Sequence, residues 1–513
     1  GDVYKRQGFN YAAVPFVTAF KSALGIRNAW SAASQDCQNK FFASELMLGS
    51  FLYIPFPDVE RTDCLIILGA NPVISGGSGI NFPRAGKRLK EIDSRGKVYV
   101  IDPRRTETAR AAGEHVFIRP DTDLFFLMSM LNLIFKDSRY DETAVRRVAE
   151  DIEQLQEAVE PYTPKATERV TGIPARKVAE ITDNFLSHSR SALYNRIGTD
   201  LGTLPTFTDW LVKAVNLVAN RLDREGCMIF SKEIVGAARL YQRMGVRNGA
   251  THSRIGDYPS TASFLPAGVM ADEILTPGEG QVHGLFMVCG NPMITVPNGA
   301  HLEKALKELE LFVALDFYEN DTAVHADYIL PAATPLEREE INLASGNLQP
   351  IPYVQYVGAA IPPRGDARND WRILRDLIIA VKLPVKTPPA LQKLVGSLPL
   401  NPKPLAYLYA ASRGVNPIKL KRNPHGVRVD GPHYNLVLGK KVLTRNGLAN
   451  LDPRALPGIL HQARSRFDEL KKKKRPKNEL LMITLRDRRS HNSWIHNCPS
   501  MMKNRKSNIA RMN

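Results

Sequence analysis

Cysteine is nearly absent from this chain. Five are spread over 513 residues (Cys37, Cys64, Cys227, Cys289, Cys498), an odd number with no Cys-x-x-Cys pair. That scatter argues against a disulfide framework, supplies no zinc or iron–sulfur ligand set, and suits a reducing compartment. No run of 18 apolar residues exists, so no segment reads as a membrane-spanning helix. The opening GDVYKRQ has neither Met nor the apolar core of a signal peptide. It reads as a junction, and NIARMN stops without a terminal element, so both ends are expected to be truncations. Cytoplasm is the default location, with the periplasm as the alternative if a twin-arginine signal preceded residue 1.

Acidic charge is what the last fifth lacks. Residues 401–513 carry 25 Lys and Arg against 6 Asp and Glu, while residues 1–400 carry 44 against 46. The net charge of +17 therefore resides around KKKKRPK, Lys471–Lys477. No basic strand interleaved with aromatics accompanies it, which sets nucleic acid aside as a partner. A solvated linker, or a groove for an anionic cofactor or substrate, remains.

What the chain does have is strand–helix alternation. LIILGANPVIS (Leu65–Ser75) is a continuous apolar strand running into a Gly/Asn-Pro turn. A helix from Pro83 to Asp93, the strand KVYVID ending at Asp102, the short strand in EHVFIRPDTD and the apolar helix DLFFLMSMLNLIFK follow. Residues 138–190 read as amphipathic helices, SALYNRIGTDLG as a strand into a Gly-rich turn, and residues 207–227 as one long helix. FMVCGNPMITVP (Phe286–Pro297) then repeats the first strand and turn, followed by LELFVALDFYEND and HADYILPAATPLE. The economical reading is α/β: two doubly wound parallel units. Ligands of such sheets lie beyond the carboxyl ends of the strands, where Gly lets a backbone approach a phosphate and free N–H groups cradle it. Asn offers donors and an acceptor to a base or ribose. Asp102 is placed for a ribose or base hydroxyl, although it and Asp316 could instead be strand-end caps, and Thr322 and Asp327 could hold their own loop. Two such turns point to two similar nucleotides or one pseudo-symmetric cofactor.

LGANPVIS, VIDPRRTETA, IRPDTD, CGNPM, DFYENDTAVHADYILPAATPLE and RRSHNSWIHN, in this order, resemble the molybdopterin oxidoreductase family of DMSO reductase, formate dehydrogenases and periplasmic nitrate reductase. The resemblance covers about residues 25–385 and 480–513. It implies Mo or W on two molybdopterin guanine dinucleotides, held by two pseudo-symmetric dinucleotide-binding domains and the start of a β-barrel-like C-terminal domain. Gly69, Asn71, Asp102, Arg104 and Asp123 would face one guanine arm. Gly290, Asn291, Pro292, Asp316 and Thr322 would face the other, with Asn492, Ser493, Trp494 and His496 approaching the pterins. His491 and His496, five apart, suit neither a helical metal pair nor one strand face. The expected divisions are 1–55, the N-terminal part of the active-site domain; 56–190 and 191–385, the two cofactor domains; 386–478, a basic irregular connection; and 479–513, the start of the C-terminal domain.

The resemblance also implies a Cys-rich domain with a [4Fe–4S] cluster, expected on a missing N-terminal portion, and an iron–sulfur or flavin electron-transfer partner subunit. The segment corresponding to the family's metal ligand is SAASQDCQNKFFASELMLG, residues 31–49. Counting from Asp36 places the ligand at Phe42, which has no donor atom, with Cys37 five residues out of register. Asp36 and Cys37 are the catalytic candidates, and the identity of the metal ligand stays open. Formate, an N- or S-oxide, nitrate and small organic compounds are all candidate substrates of a two-electron reaction; His252 and Arg254 are candidate channel residues. The alternative is a cofactor-free structural or electron-relay subunit of the same fold, similar to the large iron–sulfur subunit of respiratory complex I.

Overall fold

Cys64–Leu68 (β1) is buried on both faces, as a central strand of a parallel sheet must be. The computed structural model in which it lies describes residues 13–77, 82, 84–232, 237–341, 353–380, 402–429, 434–474, 476, 478–485, 487 and 493–503. β1 is joined by β2 (Lys97–Ile101), β3 (Glu114–Val116) and β4 (Ser191–Asn195) in the order β3–β2–β1–β4, all parallel. Leu68 stands opposite both Ile101 and Asn195. The three strands therefore end level, and Gly69, Asp102 and Arg196 leave the sheet from one edge. Strand order reverses between β1 and β4, which opens a crevice at that edge.

Helices cover both faces. Ala85–Arg95 buries Ala85, Leu89 and Ile92, one stripe at helical spacing; Pro83 lies outside the described residues. Asp123–Lys136 is apolar all round and accordingly buried, packed between Pro164–Thr171, Ala175–Ser187 and Pro205–Val218. The division expected after residue 190 falls inside this sheet, because β4 and Pro205–Val218 belong to its core. A strand buried on both faces carries no pattern that tells which sheet it joins. The helix expected over 207–227 ends at Val218, where Asn220 and Asp223 turn the chain at φ 59° and 61°.

The second sheet is β5 (Gly284–Val288), β6 (Leu311–Asp316) and β7 (Tyr328–Pro331), parallel and in that order. Met270–Leu275 and Gly299–Lys307 cover one face around Leu302 and Phe312. Val14–Ala23 and Asp370–Ala380 cover the other, with Phe16 5.6 Å from Trp371 between ring centres. Residues 14–23 thus side with the second sheet, while Gln38–Leu48 packs on Pro205–Val218 of the first, so the described part of 1–55 is shared between the two sheets.

The connection is less irregular than its composition suggests. Residues 434–470 dock on the first core through Val437, Val442, Ala449, Leu451, Ile459, Ala463 and Phe467, spaced too unevenly for one period. The Asp223 carboxylate accepts the N–H groups of Leu436, Val437 and Leu438 at 2.7–3.0 Å. Phe467, on the helix Ile459–Lys472, packs tilted against Phe125 and edge-on to Tyr162. The boundary expected at 385/386 lies outside the described residues. In 479–513 the described residues carry no strand, only a 3-10 turn, Ser493–Asn497, and the helix Pro499–Met502.

Candidate cofactor site

The two Asn-Pro turns are built alike. Asn71 and Asn291 precede the one-turn helices Pro72–Ser75 and Pro292–Thr295 with nearly the same backbone angles, φ/ψ −129°/68° and −135°/64°. Asn71 Oδ1 accepts from Thr108 Oγ1 at 2.7 Å, and Asn71 Nδ2 donates to Glu107 Oε2 at 2.7 Å. Asn291 Oδ1 accepts from Thr322 Oγ1 at 2.8 Å, and Asn291 Nδ2 donates to Asp321 Oδ2 at 2.9 Å. Each threonine oxygen also accepts the N–H two residues past its asparagine, Val73 at 3.2 Å and Met293 at 3.1 Å. An acid–threonine pair from after the next strand thus clasps each asparagine. Asp102 precedes Glu107-Thr108-Ala109 by the interval at which Asp316 precedes Asp321-Thr322-Ala323. That repeat was readable in the sequence; Glu107, Thr108 and Asp321 are the clasp residues that reading missed.

The residues before the asparagines differ. Gly69, at φ 57°, is matched by Cys289 at φ 52°, not by Gly290, and each donates its N–H across the sheet, to Ile101 and Leu315 respectively. Glycine is required at 69 because Gly198 N–H donates to Gly69 O at 2.9 Å, and a Cβ on Gly69 would stand 2.9 Å from Thr199 N. Cys289 has room, and its buried thiol reaches Asp370 Oδ2 at 3.6 Å.

Asp102 and Asp316 sit at the strand ends as turn caps. Asp102 Oδ1 accepts the Arg104 N–H at 2.9 Å; Asp316 accepts those of Phe317 and Tyr318 and the Asn320 amide. Burial pushes Asp102 up to about 6. Burial, joined by the charges of Asp121, Asp102 and Asp200, pushes Asp123 up to about 7. Arg104 is drawn to Glu107 at 3.0 Å. Burial alone would raise Glu107, but hydrogen bonds from Arg104 and Asn71 override it and hold the carboxyl down to about 2. The first turn's edge therefore presents an ionised Glu107 locked to Arg104 and two carboxyls that titrate near neutrality.

Each turn keeps free donors. The N–H groups of Ala70 and Asn71, and of Gly290 and Asn291, donate to no acceptor among the described residues, although Ala70 and Asn291 are buried. Paired orphan donors at the carboxyl ends of parallel strands fit a phosphate.

A family model for molybdopterin oxidoreductase matches residues 20–380. The chain belongs to the molybdopterin oxidoreductase family. Curated relatives include the F420-dependent formate dehydrogenase subunit alpha of Methanocaldococcus jannaschii, 25% identical over 62% of this chain and 47% of the relative. The thiosulfate reductase molybdopterin-containing subunit of Salmonella typhimurium is 26% identical over 69% and 48%, and formate dehydrogenase H of Escherichia coli 24% over 64% and 46%. The chain spans about half the length of the curated relatives it matches. Acetylene hydratase from Pelobacter acetylenicus superposes with a TM-score of 0.70 at 18% identity, covering 88% of this chain and 63% of that one, a likeness of fold.

Within this member of the family, Cys37 stands at the N-terminal end of the helix Gln38–Leu48 without a side-chain cap. Burial and then the Asp36 charge push its thiol well up, which opposes the thiolate a metal needs. Phe42 lies on the same helix, and no cluster of three or more His, Cys, Asp or Glu capable of holding a metal occurs among the described residues. Ser493 is half-buried and His496 exposed; His491 and Asn492 lie outside the described residues. Arg254 is a clamp: it pairs with buried Glu273 at 3.3 Å and donates to Thr276 O, whereas His252 is exposed. No described helix is long and apolar enough to cross a membrane.

Proposed function

We propose that this chain forms the cofactor-holding portion of the catalytic subunit of a molybdopterin-dependent oxidoreductase, and that its two clasped turns each take one guanine nucleotide arm of a Mo- or W-bis(molybdopterin guanine dinucleotide). The repeat of the Asn–Thr–acid clasp, with its two orphan N–H donors, is the observation that carries the reading. The N–H groups of Ala70 and Asn71, and of Gly290 and Asn291, would donate to phosphate oxygens. Asp102, Asp123 and Arg104 line the first arm's edge, Asp316 the second's. Gly69 and Pro292 fix the paths of the two backbones, and each threonine holds its asparagine in place. The two sheets, with residues 434–470 counted to the first and 14–23 to the second, would act as pseudo-symmetric halves.

The bound metal centre supplies two-electron redox chemistry; the protein places it and controls water and protons around it. Phe42 offers no ligand atom and Cys37 is held as a thiol, so the metal is read as held by the pterin dithiolenes without a fixed side-chain ligand. The reading takes a small substrate of the formate or N-/S-oxide type. It also takes an iron–sulfur or flavin partner subunit, a [4Fe–4S] cluster on a preceding domain, a barrel-like C-terminal domain bringing Asn492, Ser493, Trp494 and His496 to the pterins, and a cytoplasmic setting.

The test is metal and nucleotide content of the full catalytic subunit, made in a host that assembles the guanine dinucleotide cofactor. About one Mo or W and two guanine nucleotides per chain is the expected result. A folded protein with neither overturns it in favour of the structural subunit.

A further inference from the structure

Beside the first turn lie buried charges that the cofactor reading does not use. Lys40 Nζ is 2.9 Å from Asp209 Oδ1 and 3.3 Å from both oxygens of Asp200. Lys213 Nζ donates to Asp209 Oδ2, and Asn195 Nδ2 donates to Asp209 Oδ1 at 3.1 Å. The four charged side chains are at most 7% exposed. Charges are buried this completely only when paired, and a buried pair is weak evidence for stability.

The two carboxylates are not equally matched. Asp209 lies between two ammonium groups and an amide. Asp200 has a share of Lys40 alone, and its Oδ2, though 3.3 Å from Lys40 Nζ, receives no well-aligned hydrogen bond among the described residues. Two carboxylates around one ammonium favour a proton on the less matched of them. A cavity of about 10 Å³, room for about one water, lies on the Asp209 side of the cluster, among Lys40, Asn195, Arg196, Asp209 and Lys213, and Asp200 does not line it.

The place matters as much as the pairing. Asp200 closes the turn after β4 whose Gly198 touches Gly69, at the crevice where strand order reverses. Lys40 comes from the first turn of the helix Gln38–Leu48. The pair therefore ties the edge of the nucleotide turn to the helix that follows Asp36 and Cys37.

We propose that Asp200 is the proton-holding group of this site, taking up and releasing one proton at Oδ2, with Lys40 as the positioning residue that sets its affinity. The charged and titratable groups around it are Lys40 from one helix, Asp209 and Lys213 from another, Arg196 from the strand end, and Asp123 and Cys37, which both feel its charge. Burial is the largest influence and pushes Asp200 up to about 6; Lys40 and Arg196 draw it back while Asp209 adds to the rise. Burial would raise Asp209 too, but Lys213 and Lys40 override it and drive that carboxyl well below its usual range. Only the purpose of the proton, service to the two-electron reaction, rests on the cofactor reading.

The test starts with the chain free of cofactor. Infrared difference spectra between about pH 8 and about pH 5 should show carboxyl protonation above the ordinary carboxylate range, to which Asp102 and Asp123 also contribute, and Asp200→Asn should remove one carboxyl's share of that band. In Lys40→Gln the midpoint of that share should move up by about one unit or more; this variant decides the matter if Asp200→Asn fails to fold. An unchanged carboxyl band in Asp200→Asn, or an unmoved midpoint in Lys40→Gln, overturns the proposal. In the cofactor-loaded protein, the metal midpoint potential should lose part of its pH slope between about pH 5 and pH 7 in Asp200→Asn. An unaltered slope overturns the role at the site. A protein that binds no cofactor would instead sink the oxidoreductase reading and leave the titration standing.

Discussion

Thr108 donates to Asn71 across 2.7 Å, and 214 residues further on Thr322 donates to Asn291 across 2.8 Å. Both threonines are fully buried. Thr108→Val and Thr322→Val keep the shape and remove the hydroxyl, leaving each asparagine oxygen short of a donor and one backbone N–H without an acceptor. Each should cost about 1–3 kcal/mol in urea unfolding. Each should also weaken retention of one guanine nucleotide while leaving the other in place, which acid release of nucleotide would count.

Gly69→Ala and Gly290→Ala separate folding from binding. At 69 a Cβ meets backbone at 2.9 Å with φ positive, so the variant should lose more than about 1 kcal/mol. At 290 the nearest atom to a new Cβ is a proline side-chain carbon at 3.6 Å, ordinary contact. Gly290→Ala should therefore melt like the parent and still hold less nucleotide. Equal retention with wild-type stability would show that phosphate does not approach Gly290.

Glu107 sits below its ordinary value, so its contribution to stability is present above about pH 4.5 and lost as pH falls toward about 2. Glu107→Gln should remove that acid-side loss, seen as a flatter fall of melting temperature on acidification. An unchanged acid limb would show that the Arg104 and Asn71 contacts do not hold the carboxylate.

Asp102 and Asp123 behave in the opposite sense. Their folded values are raised, so what they contribute is present below about pH 4 and is lost as pH rises through about 6 and about 7 respectively. Asp123→Asn, fixed in the neutral state, should gain on the parent between about pH 5 and pH 8, measured as the difference in melting temperature across that range.

Asp223 collects three N–H groups of the 436–438 turn. Asp223→Ala leaves them unpaired and should loosen the docked segment at a cost of about 1–3 kcal/mol. Limited proteolysis should then cut within 434–470 before it cuts the sheets. Simultaneous loss of both regions would show the segment to be integral to the first core.

The sequence carried much of this architecture. β1, β2, β5 and β6 each announce themselves as apolar runs ending in Gly, Asn or Asp, and the two Asn-Pro turns are visible as a repeat. What stayed hidden depends on partners. Ser191–Asn195 has no polar face to say which sheet it joins, so its place beside β1 emerges only from register. Val437 and Phe467 are apolar residues in a basic stretch whose composition masks their docking. In the site, Asn71 and Asn291 stood out through Gly and Pro beside them. Glu107 and Asp321 looked like surface acids until the asparagine amides reached them, and Lys40, Asp200 and Asp209 are too far apart in the chain to suggest an ion cluster.

The helix Val14–Ala23 packs against Asp370–Ala380, and β1 has one edge open until β4 joins it. Synthesis runs the other way, from the N-terminus at about 5–20 residues per second. On the ribosome, Phe16 and Phe20 emerge well before Trp371, and the first core's sheet strands emerge well before Phe467. The apolar stripe of Val14–Ala23 is thus left without its cover until Asp370–Ala380 has been synthesised.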